Sequence, residues 1–330
     1  MKIHTGVSYF GNRIPRHVKE DMHDIKSHHC NFVVHTFSEN DMQFYKETIR
    51  EIVNICHDIG LEVYLDPWGV GGVFGGEAYT AFSTKNIDAR QIRQDGTIAP
   101  VACPNQPKFR AFLKEWIHVA VSMNPQVIFW DEPHFYIPGW FGDVLGWTCH
   151  CSVCQHLFQE QFNQPLPKEK TEEVIAFQHH CLFDFLKEMC ETVKADNPKV
   201  KNAICVLPSE SCDHWEKIVQ LNAVDIFGTD PYWSWLNRDV KKYVGNYASI
   251  IANYAKQYQK EGQIWVQAFR IPRGTEKNIG IAIDTAYSHG ICNIVAWGYE
   301  GCSCMSHIAC DNPSLVWDII GEHYGRLYTL

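Results

Sequence analysis

Two short segments of this sequence contain residue types and spacings that suit chemistry. The segment Trp130–His134 contains two adjacent carboxylates, Asp131 and Glu132, which follow an apolar run and lie among aromatic residues. The segment Cys149–Cys154 places three thiols within six residues. Adjacent carboxylates suit acid/base catalysis, and clustered thiols suit a soft metal ion.

Glu132 is predicted to be a general acid. Cleavage of a glycosidic bond requires one protonated and one ionised carboxyl group, and an aromatic, apolar environment raises the pKa of a carboxyl. The second carboxylate is left open: Asp230 is favoured, and the further candidates are Asp131, Asp66, Glu210 and Glu300. In the structural alternative, Asp131 or Glu132 pairs with an arginine and Asp230 caps a loop.

These segments belong to a repeating pattern of short apolar runs, polar loops and amphipathic helices. The eight candidate strands are Thr5–Phe10, Asn31–Thr36, Glu62–Pro67, Val127–Glu132, Lys201–Leu207, Val224–Asp230, Ile264–Phe269 and Cys292–Trp297. The clearest helices are Glu47–Ile59, Phe109–Val121, Val174–Val193, Val240–Tyr258 and Asn278–Tyr287.

Eight alternating strands and helices in 330 residues predict a single-domain (β/α)8 TIM barrel over residues 1–330. A doubly wound open sheet is the alternative, but Ser8–Asn12 does not form the glycine-rich phosphate turn of that fold. A long loop at about 69–107 is expected to shape the substrate site, and a cysteine-rich loop is expected at about 136–155.

Chemistry in a (β/α)8 barrel takes place at the C-terminal ends of the strands. The residues there that are predicted to bind substrate are Tyr9, His35, Asp66, Trp68, His134, Glu210, Tyr232, Trp233, Gln267, Arg270, Trp297 and Glu300. Aromatic rings among them suit the apolar faces of sugars. A lone strand-end histidine such as His35 is more often a structural donor, and Arg270 is expected either to orient a carboxylate or to bind an acidic sugar.

The cysteine run is predicted to bind one tetrahedral Zn²⁺ together with a fourth ligand. Cys103 is favoured as that ligand, because the loop after the third strand lies beside the loop after the fourth; His150 and His156 are the substitutes. A site of four thiolates is closed and therefore structural. Buried free thiols are the alternative. A second group of cysteines is left unassigned: Cys302, Cys304 and Cys310.

A resemblance to a known family covers roughly the middle third of the chain. Cys103-Pro104-Asn105, Phe109–Leu113, the acidic end of the fourth strand and the cysteine run together resemble the family 42 β-galactosidases and related clan A glycoside hydrolases. The resemblance implies that Glu132 is the general acid/base. It also implies a structural zinc site formed by Cys103, Cys149, Cys151 and Cys154.

The sequence departs from that family at important positions. The clan places an asparagine before its acid/base, where Asp131 stands here, and its strand-seven nucleophile glutamate is not found in Ile264–Arg270. We therefore do not transfer β-galactosidase activity. Two arrangements remain: Asp131 with Asp230, similar to the clan that contains the α-galactosidases, or Glu132 with a distant carboxylate that activates water and inverts the anomeric centre.

Composition restricts the partners. A net charge of −9 without a basic patch argues against nucleic acid and anionic membranes, and the chain contains no apolar run long enough for a membrane span. The N-terminus lacks the apolar core of a secretory signal, so we expect a cytoplasmic protein. The expected partner is a carbohydrate, with no organic cofactor, and the sequence is compatible with a homo-oligomer.

Two other functions stay open beside glycoside hydrolysis. The missing strand-seven glutamate is compatible with a catalytically silent carbohydrate-binding barrel. A sugar isomerase or metal-dependent hydrolase is the other alternative, although the first strand offers only His4 where metallohydrolase barrels have a His-x-His pair.

Overall fold

A computed structural model describes residues 2–10, 12–139, 146–209 and 212–329. The strands are β1 (His4–Tyr9), β2 (Phe32–Thr36), β3 (Glu62–Asp66), β4 (Arg90–Ile92), β5 (Ile98–Ala102), β6 (Val127–Asp131), β7 (Lys201–Val206), β8 (Ile226–Thr229), β9 (Glu261–Gln267) and β10 (Asn293–Trp297). The α-helices are α1 (Pro15–Ser27), α2 (Glu39–Phe44), α3 (Lys46–Ile59), α4 (Ala81–Lys85), α5 (Pro107–Val121), α6 (Ser152–Phe162), α7 (Glu172–Asp196), α8 (Asp213–Val219), α9 (Val240–Tyr258), α10 (Lys277–Ser288) and α11 (Pro313–Leu327).

Eight of these strands close into a parallel barrel, which confirms the predicted (β/α)8 fold and excludes an open sheet. Their order around the barrel is β1-β10-β9-β8-β7-β6-β3-β2. Each pair of neighbours is parallel, because a helical connection returns the chain to the same end of the barrel. All eight strands therefore end at one mouth.

The barrel has an apolar layer on each side of its wall. Inside, Phe32, Val34, Tyr64, Phe129 and Trp265 form a buried cluster. Outside, the alternate strand residues pack against the inner faces of the helices. Strands that are covered on both faces contain nearly continuous apolar runs, and for that reason they are easy to locate in the sequence.

The helices follow the spacing of their apolar residues. In α3, Ile49, Ile52, Val53 and Cys56 are buried, and the helix ends at Gly60, whose φ of 84° suits a left-handed C-cap. The five helices predicted from apolar spacing are all present. Five helices were not located from the sequence, namely α1, α2, α4, α8 and α11.

The strands β8 and β9 differ most from their predicted bounds. β8 ends at Thr229, so Asp230 lies just beyond the strand. β9 begins at Glu261 and ends at Gln267, which puts Arg270 in the following loop. The register of Ile226 with Glu261 accounts for the early start of β9, because pairing with β8 extends it backwards.

The segment between β3 and α5 is folded rather than extended. It contains α4 and the antiparallel hairpin of β4 and β5. An isolated bridge between Arg93 and Thr148 joins the hairpin to the cysteine-rich segment. Within the described ranges, none of the helices is long and apolar enough to cross a membrane.

Candidate functional site

Alternation along the strands brings polar side chains to the mouth of the barrel. The register pairs Asp131 of β6 with Cys205 of β7, and both face the interior. Asp66 ends β3, and Asp230 follows β8; both are buried. Successive residues of a strand point to opposite faces, so this convergence follows directly from the pleat.

Glu132 reaches the same mouth although it directly follows Asp131. Strict alternation would turn its side chain away, but its backbone has a left-handed φ of 41°, which ends the pleat at this residue. The imidazole of His134 donates from Nδ1 to the Glu132 carbonyl and thereby supports this turn. Burial lowers the pKa of His134 to about 4, so the ring is neutral at physiological pH.

The carboxyl groups of Glu132 and Asp230 lie within hydrogen-bonding distance of each other. Burial raises the pKa of Glu132 well above its usual range, and the neighbouring Asp230 raises it further. Burial also raises the pKa of Asp230, to about 7, while the bond with Glu132 and the thiol of Cys205 lower it. The additional donor favours the anion on Asp230, so the shared proton resides mainly on Glu132.

Asp66 and Asp131 have strongly raised pKa values as well. Burial is the main cause for both, followed by the charge of Asp131 for Asp66 and the charge of Glu132 for Asp131. Asp66 is 0% exposed, and neither of its carboxylate oxygens has a hydrogen-bond partner among the described residues. Both groups therefore bind a proton more readily than a carboxyl in water does.

A fifth carboxylate, Glu77, comes from the loop that follows β3. Glu77 is exposed at the rim and accepts a hydrogen bond of 3.2 Å from Trp68 Nε1. Its charge influences Asp66, Asp131 and Glu132. We call Asp66, Glu77, Asp131, Glu132 and Asp230 the carboxyl cluster.

Glu77 could not be recognised from the sequence, because this part of the loop has no periodic pattern. One available signal was the pair Gly75-Gly76 directly before it, since consecutive glycines allow a backbone to pass close to other groups. Cys205 was also missed, because a buried strand cysteine usually acts as a small apolar residue.

The carboxyl cluster does not have the geometry of a metal site. Among the described residues, no three members bring their oxygens within 4.8 Å of one another, whereas four cysteines do so elsewhere. The described carboxyl groups therefore meet in pairs at most, which suits proton transfer better than coordination of one ion.

Aromatic rings line the mouth. Trp68 stacks on Phe10 with a centroid separation of 5.8 Å, and Phe10 contacts Trp297 at 5.6 Å. On the other side, the ring of Tyr232 meets Phe269 edge-on at 5.0 Å. These rings provide apolar surfaces beside the carboxyl groups.

The aromatic surface extends outward to Trp235, which the sequence analysis did not select. Trp235 is 62% exposed and lies 6.0 Å from Phe269. The guanidinium of Arg270 lies 4.9 Å from the Trp235 ring centroid. Arg270 also donates to the backbone carbonyl of His307 at 3.2 Å and to its ring. An exposed indole beside a fixed cation is therefore present at the rim.

Three predicted substrate-binding residues lie outside the mouth. Tyr9 donates to Asp21 of α1, and His35 contacts the Cys56 thiol of α3 at 3.2 Å. Tyr9 and His35 are register partners, so the same pleat turns both towards the helices. Trp233 is 2% exposed and packs in the layer between barrel and helices. We exclude these three from the candidate site.

Three further predicted residues have other positions. Gln267 is buried at the mouth, where its Oε1 accepts from Ser234 N at 2.9 Å and thereby holds the loop after β8. Glu300 is exposed and accepts from Ser303 Oγ at 3.0 Å, so it closes its own turn. Glu210 lies outside the described residues.

Cys103, Cys149, Cys151 and Cys154 form one buried cluster that could hold a metal ion. All four sulfurs lie within 4.8 Å of one another, with Cys103 3.5 Å from Cys154 and 3.8 Å from Cys151. Tetrahedral zinc with bonds of about 2.3 Å separates its sulfur ligands by about 3.8 Å, so the cluster fits that ion. The structure thus selects Cys103, rather than His150 or His156, as the fourth member.

Sequence comparisons identify no relative: no protein-family model matches the chain, and no curated protein matches it.

Solved structures do share the fold. The β-galactosidase of the haloarchaeon Halorubrum lacusprofundi matches 99% of this chain and 58% of its own, with a TM-score of 0.78 and 12% identity. A family 42 β-galactosidase of G. stearothermophilus matches 99% of this chain and 56% of its own, with a TM-score of 0.75 and 12% sequence identity. The endo-1,4-β-mannanase of Rhizomucor miehei matches 100% of this chain and 96% of its own, with a TM-score of 0.65 and 10% sequence identity.

These comparisons confirm the predicted resemblance in fold to family 42 β-galactosidases. The chain spans less than three fifths of the length of the two β-galactosidases. It spans nearly the full length of the mannanase.

Proposed function

We propose that this protein is a glycoside hydrolase in which Glu132 is the general acid. The observation that carries the proposal is the pair of carboxyls formed by the half-buried Glu132 and the buried Asp230, with the Cys205 thiol on the Asp230 side. A glutamic acid that keeps its proton near neutral pH can donate it to a leaving oxygen. The fold supports the proposal, since the solved structures that share it include β-galactosidases and mannanases.

The substrate that we propose is a carbohydrate. Trp68 and Tyr232 border the carboxyl cluster, and Trp235 continues the aromatic surface outward. Sugar rings have apolar faces that pack on aromatic side chains, while their hydroxyls require polar neighbours. A mouth that combines exposed rings with several carboxyl groups supplies both.

We assign Asp230 to holding the proton of Glu132, and not to nucleophilic attack. A retaining enzyme needs its two carboxyls about 5 Å apart, and an inverting enzyme needs more, because the glycosidic bond lies between them. Carboxyls in direct contact leave no room for that bond. Asp230 is therefore a positioning residue, whose negative charge keeps the pKa of Glu132 high.

We also propose that the four-cysteine cluster binds a structural zinc ion. Cys103, Cys149, Cys151 and Cys154 would provide a closed set of four sulfur ligands. The amide of Asn105 donates to Cys154 Sγ at 3.2 Å, a contact that stabilises a thiolate. Bound there, zinc would hold the loop after β5 against the start of α6, and the reaction itself would use only carboxyl groups.

The decisive experiment compares Glu132→Gln with the wild type on aryl glycosides of different leaving groups. Loss of a general acid lowers kcat/KM by about a hundredfold or more when the leaving group is a poor one such as phenol. The decrease is much smaller for a dinitrophenyl glycoside, whose leaving group needs no proton. Equal losses on both substrates, or full activity of the variant, would contradict the assignment.

Asp230→Asn tests the origin of the raised pKa. Replacing the anion by an amide removes the charge that favours the protonated form of Glu132, so the pKa of the acid falls. The alkaline limb of kcat/KM should therefore move to lower pH, while activity at acidic pH is retained better. An unchanged alkaline limb would show that Asp230 does not control the acid.

A further inference from the structure

The contact between Glu132 and Asp230 leaves the reaction without an ionised carboxylate on the opposite side of the bond. β9 ends at Gln267, so the strand ends offer no glutamate there. Asp66 is buried and Asp131 is half-buried, desolvation raises the pKa of both, and neither oxygen of Asp66 has a hydrogen-bond partner among the described residues. The ionised partner must therefore come from a loop.

The loop after β3 approaches the carboxyl groups at Gly75. A Cβ atom at Gly75 would lie 2.5 Å from Asp131 Oδ2 and 3.2 Å from Glu132 Oε2, so the backbone itself is in contact with both groups. Its N–H donates to the Asp131 carbonyl at 2.9 Å. Gly76 follows, packed so tightly on Trp68 that a Cβ there would lie 1.8 Å from the ring. The next side chain is Glu77.

Glu77 differs from the rest of the carboxyl cluster in its surroundings. It is open to solvent and accepts from Trp68 Nε1. Desolvation raises the pKa of Glu77 above its usual value, and the hydrogen bond from Trp68 and the charge of Arg270 partly oppose that rise. Among the described residues, no positively charged side chain is a main cause of the pKa shifts of Asp66, Asp131, Glu132 and Asp230. Its exposure to solvent and the hydrogen bond from Trp68 Nε1 make Glu77 the member of the cluster best placed to carry a charge.

We propose that Glu77 is the general base that activates water opposite Glu132, an inference that rests on the proposed glycosidase function. The Glu77 carboxylate removes a proton from a water molecule, whose oxygen forms a bond to the anomeric carbon. The bond from that carbon to the leaving oxygen breaks, and its electron pair stays on that oxygen, which takes the proton of Glu132. The configuration inverts, and proton exchange with solvent restores both groups.

The test uses Glu77→Gln and Glu77→Asp in the full chain, on an aryl glycoside that the wild type hydrolyses. Glu77→Gln should lose at least about a hundredfold in kcat/KM with good and poor leaving groups alike, and the acidic limb of its pH profile should disappear. Glu77→Asp retains the charge but withdraws it by one methylene, so it should retain part of the activity. NMR of the first-formed sugar should show the inverted anomer.

Glu322→Gln is the matched control, because it makes the same substitution at an exposed glutamate beside an arginine, Arg326 of α11. It should behave as the wild type. Full activity of Glu77→Gln while Glu132→Gln is impaired would overturn the role of Glu77 and leave the proposed function intact. Retention of configuration would overturn the base role. A wild type that hydrolyses no glycoside would overturn both proposals.

Discussion

At the residue scale, Asp66 is in an environment that opposes its charge. Its carboxyl is 0% exposed, has no hydrogen-bond partner among the described residues and is influenced by Asp131, Glu77 and Glu132. An isolated buried carboxylate destabilises the folded state, so the group binds a proton instead. Clusters of such groups lower the free energy of unfolding, and they also provide the shifted pKa values that acid/base chemistry requires.

Asp66→Asn should therefore stabilise the protein at neutral and alkaline pH. The raised pKa means that the contribution of Asp66 to stability is complete below its unfolded pKa of about 3.9 and is lost as pH rises towards the folded value. An amide does not titrate, so the melting temperature of the variant should exceed that of the wild type by about 2 °C or more at pH ~8 and by less at pH ~5. Thermal denaturation at both pH values measures this difference.

Asp95→Asn is the control for this pH dependence. Asp95 is exposed, and hydrogen bonds from Thr97 lower its pKa. Its charge is therefore already complete at pH ~5, and the effect of the substitution should be the same at pH ~8. If the difference for Asp66→Asn were equally independent of pH, the raised pKa of Asp66 would be incorrect.

Part of this residue-scale arrangement could be predicted from the sequence. Asp131 and Glu132 were found because they follow an apolar strand, and the pleat could also have excluded Tyr9 and His35, which face the helices. The inward turn of Glu132 depends on its left-handed φ, and the types of the neighbouring residues do not predict that backbone conformation. The position of Glu77 depends on the path of a loop, which contacts distant in sequence determine.

At the element scale, α2 holds that loop in place. The carboxylate of Glu39 accepts from Gly71 N at 2.9 Å, from Thr80 Oγ1 at 2.7 Å and from Phe82 N at 2.5 Å. Glu39 is 6% exposed, so these bonds are protected from water. The spacing of apolar residues in the strands and long helices was enough to predict the barrel. The helix α2 is only six residues long, and its role depends on partners that are not its neighbours in the sequence.

Glu39→Gln should loosen the loop that contains Glu77 without unfolding the barrel. Hydrogen bonds to a charged acceptor contribute about 1.5–3 kcal/mol, and a loss of about 1.4 kcal/mol changes a local opening equilibrium tenfold. Amide hydrogen exchange over residues 69–82 should therefore accelerate about tenfold or more, with unchanged exchange in the barrel strands. The kcat/KM on an active glycoside should fall in parallel.

Glu47→Gln provides the comparison for this prediction. Glu47 is an exposed glutamate of α3 that pairs with Arg50, and it makes none of the loop contacts of Glu39. Its substitution should leave both exchange and activity unaltered. Faster exchange throughout the barrel in Glu39→Gln would instead assign Glu39 to the global stability of the fold.

At the scale of the whole molecule, the cysteine cluster joins two segments that lie far apart in the sequence. Cys103 directly follows β5, whereas Cys149, Cys151 and Cys154 surround the start of α6. Between them lie α5 and β6, which ends at Asp131. A metal ion at this position would close a long loop around the strand that ends at Asp131, and closing a long loop restricts the unfolded chain.

Removal of the proposed zinc ion should therefore lower stability while leaving the proposed reaction of the folded protein unchanged. Purified protein should contain one zinc per chain by elemental analysis, and a strong chelator should lower its melting temperature by at least about 5 °C. Cys154→Ser should lack the metal and no longer respond to the chelator, while Cys292→Ser, at a half-buried cysteine near the opposite end of the barrel, should retain both properties. Below its lower melting temperature, Cys154→Ser should keep the pH profile of the wild type, because the proposed reaction uses the carboxyl cluster. Loss of turnover by a fully folded Cys154→Ser would instead place the metal in the reaction.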